Sequence, residues 1–552
     1  MGTKRSTRAR VPRLAAVGVV LGLAVAAPAV AHVCHPDQPG TRTLSLRGTV
    51  QIQAMHGTHL LLAAHWAGAC MRIDWNASMP GRYEAASCAQ SAEATAPPAA
   101  ARIEGGYVAL YRDDVLLRRI WIGYSPLPLR AASSKTHVYV LTAPAADGPA
   151  RLLGFDARTG FRTMNYPVPY SGSSLDVASG IAIFSTTGGG GLYGLRLSDG
   201  QIAFLAAERA DTNAQIEAPG IAYVDNLYPS RIRPGTAHVK FVPLSAVRHD
   251  LARVGHTLRV PNRVRAFAMD GPRVSLVVAG PEKSCDRILH WNIPWHYTAF
   301  ISKPGERAPT CATGRTSDAR ATSLALGGLG SAWVLHGPNG SRLVRENSVA
   351  CVERVLATGR IPLVAADRSL IAFVRRTGTR WTIGTAGWRT ARPIATSRFR
   401  LRALSVDGDR IAALRGDGKV EIWSRWGSLL TTIATPGATS IALNTGKVTV
   451  VGRSRTLDVF DADTGRLEHS WRLPEGAAGP VDVQYGVAVV TRGTTVLGIR
   501  LATGRTAALT HAPARVRAQI EGPGVAYQYN VGGHGFVGFV SLARIEQLLG
   551  TL

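Results

Sequence analysis

The sequence predicts an all-β fold assembled from repeated antiparallel units, and three observations carry that prediction. Ala214–Tyr223 (AQIEAPGIAY) returns about three hundred residues later as Ala518–Tyr527 (AQIEGPGVAY), with eight of ten positions identical. Self-similarity this sharp marks a duplicated repeat architecture. Apolar runs alternate with polar residues at period two and are separated by Gly, Asp and Asn turns such as Asp199-Gly200, Asp417-Gly418 and Thr464-Gly465, the pattern of strands joined by tight hairpins. The strand-turn unit recurs about every forty residues, the spacing of four-stranded propeller blades. The predicted class is therefore a β-propeller, with two propellers in tandem.

The N-terminal element is predicted to be a secretory signal peptide over residues 1–31. Lys4, Arg5, Arg8, Arg10 and Arg13 form a basic region, Leu14–Ala27 is apolar but too short to span a bilayer, and Ala29-Val30-Ala31 fits a small-residue cleavage site. His32 and Val33 separate that site from Cys34, which favours secretion over lipid attachment. The mature chain is expected to have no transmembrane helix and to lie outside the cytoplasm.

Residues 32–258 are predicted to form the first propeller half, with units beginning near Val50, Ala101, Ala131, Leu175 and Ala214. Residues 259–552 are predicted to form a seven-bladed half, with units near Val264, Ala319, Ile361, Leu401, Ala438, Val481 and Ala514. A six-plus-six division is the alternative to five plus seven. The copies stay in step beyond the opening block: Leu175–Phe184 matches Val481–Val490, and Leu192–Gln201 matches Val496–Arg505. Leu244–Leu251 and Leu542–Leu549 are short amphipathic segments that close each copy.

The chain carries a net charge of +27 with 63 basic residues, nearly all of them arginine. Removal of the leader brings the mature form nearer +22. No block of like charges stands out along the sequence, so a solvated surface is favoured over a weak attraction to anionic envelope polymers. Nucleic acid is a poor partner for a secreted chain with dispersed arginine.

Of six cysteines, Cys70 opens CMRIDWN and Cys285 opens CDRILHWN, and each is followed by another, Cys88 and Cys311. This likeness predicts disulfides Cys70–Cys88 and Cys285–Cys311, consistent with an oxidising compartment. Cys34 and Cys351 are left unassigned. No metal-ligand spacing of cysteines occurs.

Few motifs point to chemistry. Gly189-x-Gly191-x-x-Gly194 matches a dinucleotide pattern, but a strand is expected after it where a phosphate site needs a helix N-terminus. Asp461-x-Asp463-x-Gly465 could suggest a calcium loop, yet its repeat partner carries Arg158 where a ligand would be, so a metal-free turn is expected. His56, His59 and His65 are read as surface or core residues. No nucleophile elbow and no paired carboxylates are recognisable, so no catalytic residue, metal or cofactor is assigned. The best candidate ligand surface is the aromatic segment holding Trp291, Trp295, His296 and Tyr297, which could stack on a sugar. Packing of these rings between blades is the favoured reading of the same segment.

Phe460-Asp461-Ala462-Asp463-Thr464-Gly465 and its partner Phe155–Gly160 resemble quinoprotein-type (PQQ-like) and WD-type propeller repeats. In quinoprotein blades a docking Trp follows Thr-Gly after a short gap. Here Trp471 follows Gly465 with five residues between, and Tyr166 stands at the same gap in the other copy. The expected function is a secreted, non-catalytic binding or scaffold module for an unknown protein or cell-envelope glycan. The alternative is a quinone-dependent dehydrogenase or a polysaccharide-acting propeller enzyme, with polar residues converging from several blades.

Overall fold

The computed structural model describes residues 40–552 apart from connecting segments, the longest being 88–100, 123–129, 207–213, 227–235, 280–286 and 299–319; from residue 390 onward the description is continuous. The leader prediction, Cys34 and Cys351 lie outside the described residues. The described chain is all-β, built from eleven antiparallel sheets, nine of them four-stranded. This arrangement is consistent with propeller-like repeats. Two short helices complete it, α1 (Leu244–Arg253) and α2 (Leu542–Leu549).

In chain order, sheets I to IV start with Thr49–His56, Ala101–Glu104, Arg130–Ser133 and Gly172–Ala178. Sheet V starts with Ala214–Glu217, the repeated block itself. Its fourth strand is Arg42–Arg47, which pairs antiparallel with Thr236–Pro243. Sheet VI starts with Val264–Asp270 and sheet VII with Arg320–Gly327. Sheets VIII, IX, X and XI start with Leu401–Asp407, Ala438–Asn444, Ala478–Gln484 and Arg517–Glu521. Sheet XI also takes its fourth strand, Leu258–Val260, from far upstream. A strand from the start of each half thus completes the last sheet of that half.

Sheet VII departs from the expected pattern of separate four-stranded units. It has seven strands, because Val352–Ala366 runs on as the fourth strand of one unit and the first strand of the next. Gly359, at φ +120, lies where its pairing passes from Gly340–Asn347 to Ile371–Thr377, a backbone setting that glycine reaches without strain. Sheet II has three strands among the described residues.

First strands of successive sheets pack side by side. In the C-terminal half this runs from Val264–Asp270 through Arg320–Gly327, Val352–Ala366 and the first strands of sheets VIII to XI, and Arg517–Glu521 then returns against Val264–Asp270. A polar side chain on one first strand often fastens the next. Ser405 Oγ accepts from Leu443 N (2.9 Å), Ser440 Oγ from Val481 N (2.8 Å), Asp482 Oδ2 from Ile520 N (2.9 Å) and Gln519 Oε1 from Met269 N (2.8 Å). The N-terminal copy repeats the third of these, with Asp176 Oδ2 accepting from Ile216 N at 2.8 Å. Each bond occupies a backbone donor that the edge of a first strand would otherwise leave unpaired.

The repeated glycine of the Pro-Gly pair is explained by packing. Gly220 and Gly524 open the second strands of sheets V and XI beneath the rings of Phe241 and Phe539, where any Cβ would meet the ring or adjacent backbone at less than 3 Å. The aromatic residues after the Asp-x-x-Thr-Gly turns dock onto the following sheet. Trp471 Nε1 donates to Leu501 O (2.9 Å) and its ring covers Gly504; Tyr166 OH donates to Leu197 O (3.0 Å) and its ring covers Gly200. The longer gap in the sequence therefore still delivers an aromatic lock between neighbouring sheets, because the outer strand carries the ring to the next turn.

Candidate functional site

Among the described residues, the turns of sheets VIII and IX border an open cleft of about 410 Å³, lined on one side by Asp407, Asp409 and Arg410 and on the other by Thr445, Gly446, Lys447, Asp461 and Asp463. Local hairpin chemistry sets these residues. Asp407-Gly408-Asp409 turns between the first two strands of sheet VIII, and Thr445-Gly446 does so in sheet IX with both residues at positive φ, +47 and +75. This double left-handed turn suits the twist of a two-residue hairpin, and the Asp407 carboxylate accepts from both of its N–H groups. Burial raises Asp407 above the usual carboxylate range, with the Asp367 charge adding to the effect against those two hydrogen bonds.

The remaining charges are paired. Arg410 reaches Asp463 at 2.8 Å, and Lys447 holds both Asp461 (3.1 Å) and Glu468 (2.5 Å). The Asp461 carboxylate accepts from the Thr464 backbone N–H and hydroxyl, both at 2.9 Å, and these bonds with Lys447 hold it well below the usual carboxylate range. Glu468, opposed by burial and helped by Asp461, keeps the Lys447 ammonium above its ordinary value. Asp461 Oδ1 is thus occupied by its own turn, and Asp156 Oδ1 is occupied in the same way by Arg158 N, Thr159 N and the Thr159 hydroxyl. Among the described residues no group of three or more His, Cys, Asp or Glu side chains could hold a metal ion.

Through Asp409 the cleft is linked to an exposed aromatic. Asp409 pairs with Arg425 at 2.8 Å, and the Arg425 and Arg392 guanidiniums lie 5.1 and 4.8 Å from the ring centre of Trp426, which is 68 % exposed. Cation–π contact holds such a ring in place while leaving much of it in solvent.

The sequence-predicted surface lies elsewhere, on sheet VI. Register sets Trp291 opposite Tyr297 and Asn292 opposite His296, while Trp295 lies outside the described residues. The related hairpin of sheet I sets Trp75 opposite Tyr83, and there Trp75 is buried at 1 % exposure. Cys70 is engaged in a disulfide; Cys88, Cys285 and Cys311 lie outside the described residues. His56, His59 and His65 face separate partners, Glu217 at 3.4 Å, Asp74 at 3.7 Å and the Cys70 sulfur at 3.9 Å. Gly191 and Gly194 share the strand Gly191–Arg196, which is followed by the strand Ile202–Ala206. Of the cleft residues, only Asp461 and Asp463 had a signal in the sequence, as turn formers. The others are ordinary hairpin residues until two sheets meet.

No family model matches the chain, and no curated protein matches it. Among solved structures it is similar to a computationally designed protein, with 14% identity over 69% of this chain and 94% of that one at a TM-score of 0.31. It is also similar to a chain of a mitotic checkpoint complex, with 12% identity over 52% of this chain and 92% of that one at a TM-score of 0.40. Among the described residues no helix is long and apolar enough to cross a membrane.

Proposed function

We propose that this chain is a secreted tandem β-propeller, five blades followed by seven, that acts as a non-catalytic binding module for a protein or glycan ligand. The ring reading is supported by the upstream strands Arg42–Arg47 and Leu258–Val260, which complete the last sheet of each half. That is how a propeller ring is fastened shut, leaving only the short outer edges of its blades. The aromatic lock of Trp471 on Gly504 favours the quinoprotein-like type of blade.

One observation carries the functional reading: Asp409, Arg410, Lys447, Asp461 and Asp463 around the cleft of sheets VIII and IX are fixed in ion pairs, and Asp407, raised by burial, is tied by hydrogen bonds to the Thr445-Gly446 turn. Lys447 is held protonated by Glu468 and Asp461, and Asp461 is held ionised by its turn and Lys447. A proton-transferring group needs a value near the working pH, which neither of these has. Fixed charges beside an exposed tryptophan suit recognition by complementary hydrogen bonds and stacking.

The test is a glycan array together with affinity capture from an envelope fraction, using the wild type and a D409N/D463N variant. A ligand retained by the wild type and lost by the variant is the expected result. Turnover of a bound polysaccharide, or a spectral change on titration with a quinone cofactor, would replace this reading with the enzymatic one.

A further inference from the structure

Residues 354–402 contain eleven arginines and a single acidic residue, Asp367. Along the chain these arginines are spaced out, but antiparallel pairing returns most of them to one end of sheet VII. Arg360 stands directly opposite Arg376, and Arg380 stands opposite Thr377 beside it. Ser397 pairs with Trp381, so Arg398 follows at the same end, and the chain then turns through Arg400 and Arg402 into sheet VIII, where Leu401 pairs with Arg415. Arg360, Arg380, Arg398, Arg400 and Arg402 are exposed, and Arg375 and Arg376 are half-buried.

Two features make this rim unusual. Arg415, on the adjoining sheet, is neutralised by Asp417 (2.7 Å) and Glu421 (2.5 Å), whereas among the described residues no carboxylate pairs with any of the other seven. Like charges placed directly across a strand pair are destabilising, so the row at Arg360 and Arg376 is a standing cost to the fold that an anion would relieve. The side chains are also partly set for a ligand. Arg376 is held over the Trp381 ring (5.5 Å) with its Nε donating to Gly378 O at 2.9 Å. Arg375 lies against Gly359, and its Nε is buried without a hydrogen-bond partner.

We propose that this arginine rim is a binding surface for an anionic polysaccharide carrying sulfate, phosphate or carboxylate groups. Guanidinium groups pair in a two-pronged manner with such oxyanions, and a run of them along a rim matches a polymer whose charges repeat. The strong positive charge of the whole chain would draw the polymer in, while the rim fixes where it lies. The rim is separate from the cleft: on the strand Leu401–Asp407, Arg402 stands at the rim end and Asp407 at the cleft end.

The experiment measures binding of heparin, as the probe, to the mature chain at near-physiological salt. The variants are R360Q/R376Q/R380Q on sheet VII, R398Q/R400Q/R402Q on the linker, and R118Q/R158Q/R162Q in the N-terminal half, an equal loss of charge away from the rim. Both rim variants are expected to lose at least about tenfold in affinity while the third stays close to wild type. Both are expected to melt at or above the wild-type temperature, because like-charge repulsion has been removed. If one rim variant fails to fold, the other still reads the site. Equal weakening by all three variants would reduce the effect to overall charge and overturn the proposal, as would heparin binding that no rim variant weakens. Rim-dependent binding of single-stranded DNA or of anionic lipid vesicles at higher affinity than heparin would overturn the choice of a polysaccharide.

Discussion

Asp482 is enclosed between sheets X and XI, where its two oxygens accept from Val483 N (3.0 Å) and Ile520 N (2.9 Å). Burial outweighs these bonds and pushes the carboxyl up to about 6. Asp176, its counterpart in the first half, is raised by burial in the same way. Between the ordinary carboxylate value and about pH 6, the folded chain keeps a proton on Asp482 that the unfolded chain has released. The associated stability is fully present below about pH 4 and is lost as pH rises through 6, so holding the charge in place at pH 7 costs on the order of 3 kcal/mol. Asp482→Asn keeps an acceptor for Ile520 N and carries no charge. Thermal melts at pH 5 and pH 7.5 should show the variant gaining on the wild type at the higher pH. A wild-type-minus-variant difference that is flat with pH would show that Asp482 does not titrate there. The matching pair Asp176 and Asp482 was visible in the aligned copies as a shared Asp, but nothing in the sequence said that the side chain is buried and bridges two sheets.

At the level of elements, an aromatic ring over a turn glycine joins sheet III to IV and sheet IX to X. A Cβ on Gly504 would meet the Trp471 ring at 2.4 Å, and the residue sits at φ +69. Gly504→Ala is therefore expected to lower stability by about 1–3 kcal/mol through strain and displacement of the ring. Urea denaturation would measure it. Gly493→Ala is the control, a turn glycine at φ +60 with nothing within 4 Å of the added carbon. A loss for Gly504→Ala no larger than the control would mean that the ring contact adds nothing beyond backbone strain. The turn itself was legible in the sequence, because Asp-x-x-Thr-Gly has one hydrogen-bonding solution that both copies adopt. The lock was not, since spacing along one strand does not reveal which residue of the next sheet lies beneath.

For the whole molecule, the two halves are in contact. An apolar cluster runs from Ile183 and Leu192 of sheet IV through Val247 and Leu251 of α1 to Val264 and Phe267 of sheet VI and Phe539 of sheet XI. On the other side, Arg151 of sheet III pairs with Glu546 of α2, with both side chains largely buried, and also donates to Leu552 O at 2.8 Å. Tyr485 OH donates to Pro169 O at 2.6 Å nearby. Removing one member of a largely buried pair strands the other charge, so Glu546→Ala should cost about 3 kcal/mol. Differential scanning calorimetry should show the two halves melting further apart in the variant than in the wild type. An unchanged trace would mean that the apolar cluster alone couples them.

Duplication and strand periodicity determined the all-β repeat architecture, the register between the two copies and the first strand of each repeating unit to within a few residues. They could do so because period-two alternation and glycine turns are local properties, written in neighbouring residues. Tertiary structure decided the shared strand Val352–Ala366, the pairing of the upstream strands Arg42–Arg47 and Leu258–Val260 into sheets V and XI, the paired charges of the cleft, and the arginine rim. The arginines show the reason most directly. They are dispersed along the chain, at intervals that match no block of charge, yet many of them fall near strand ends, and antiparallel pairing brings strand ends that are far apart in sequence to the same edge.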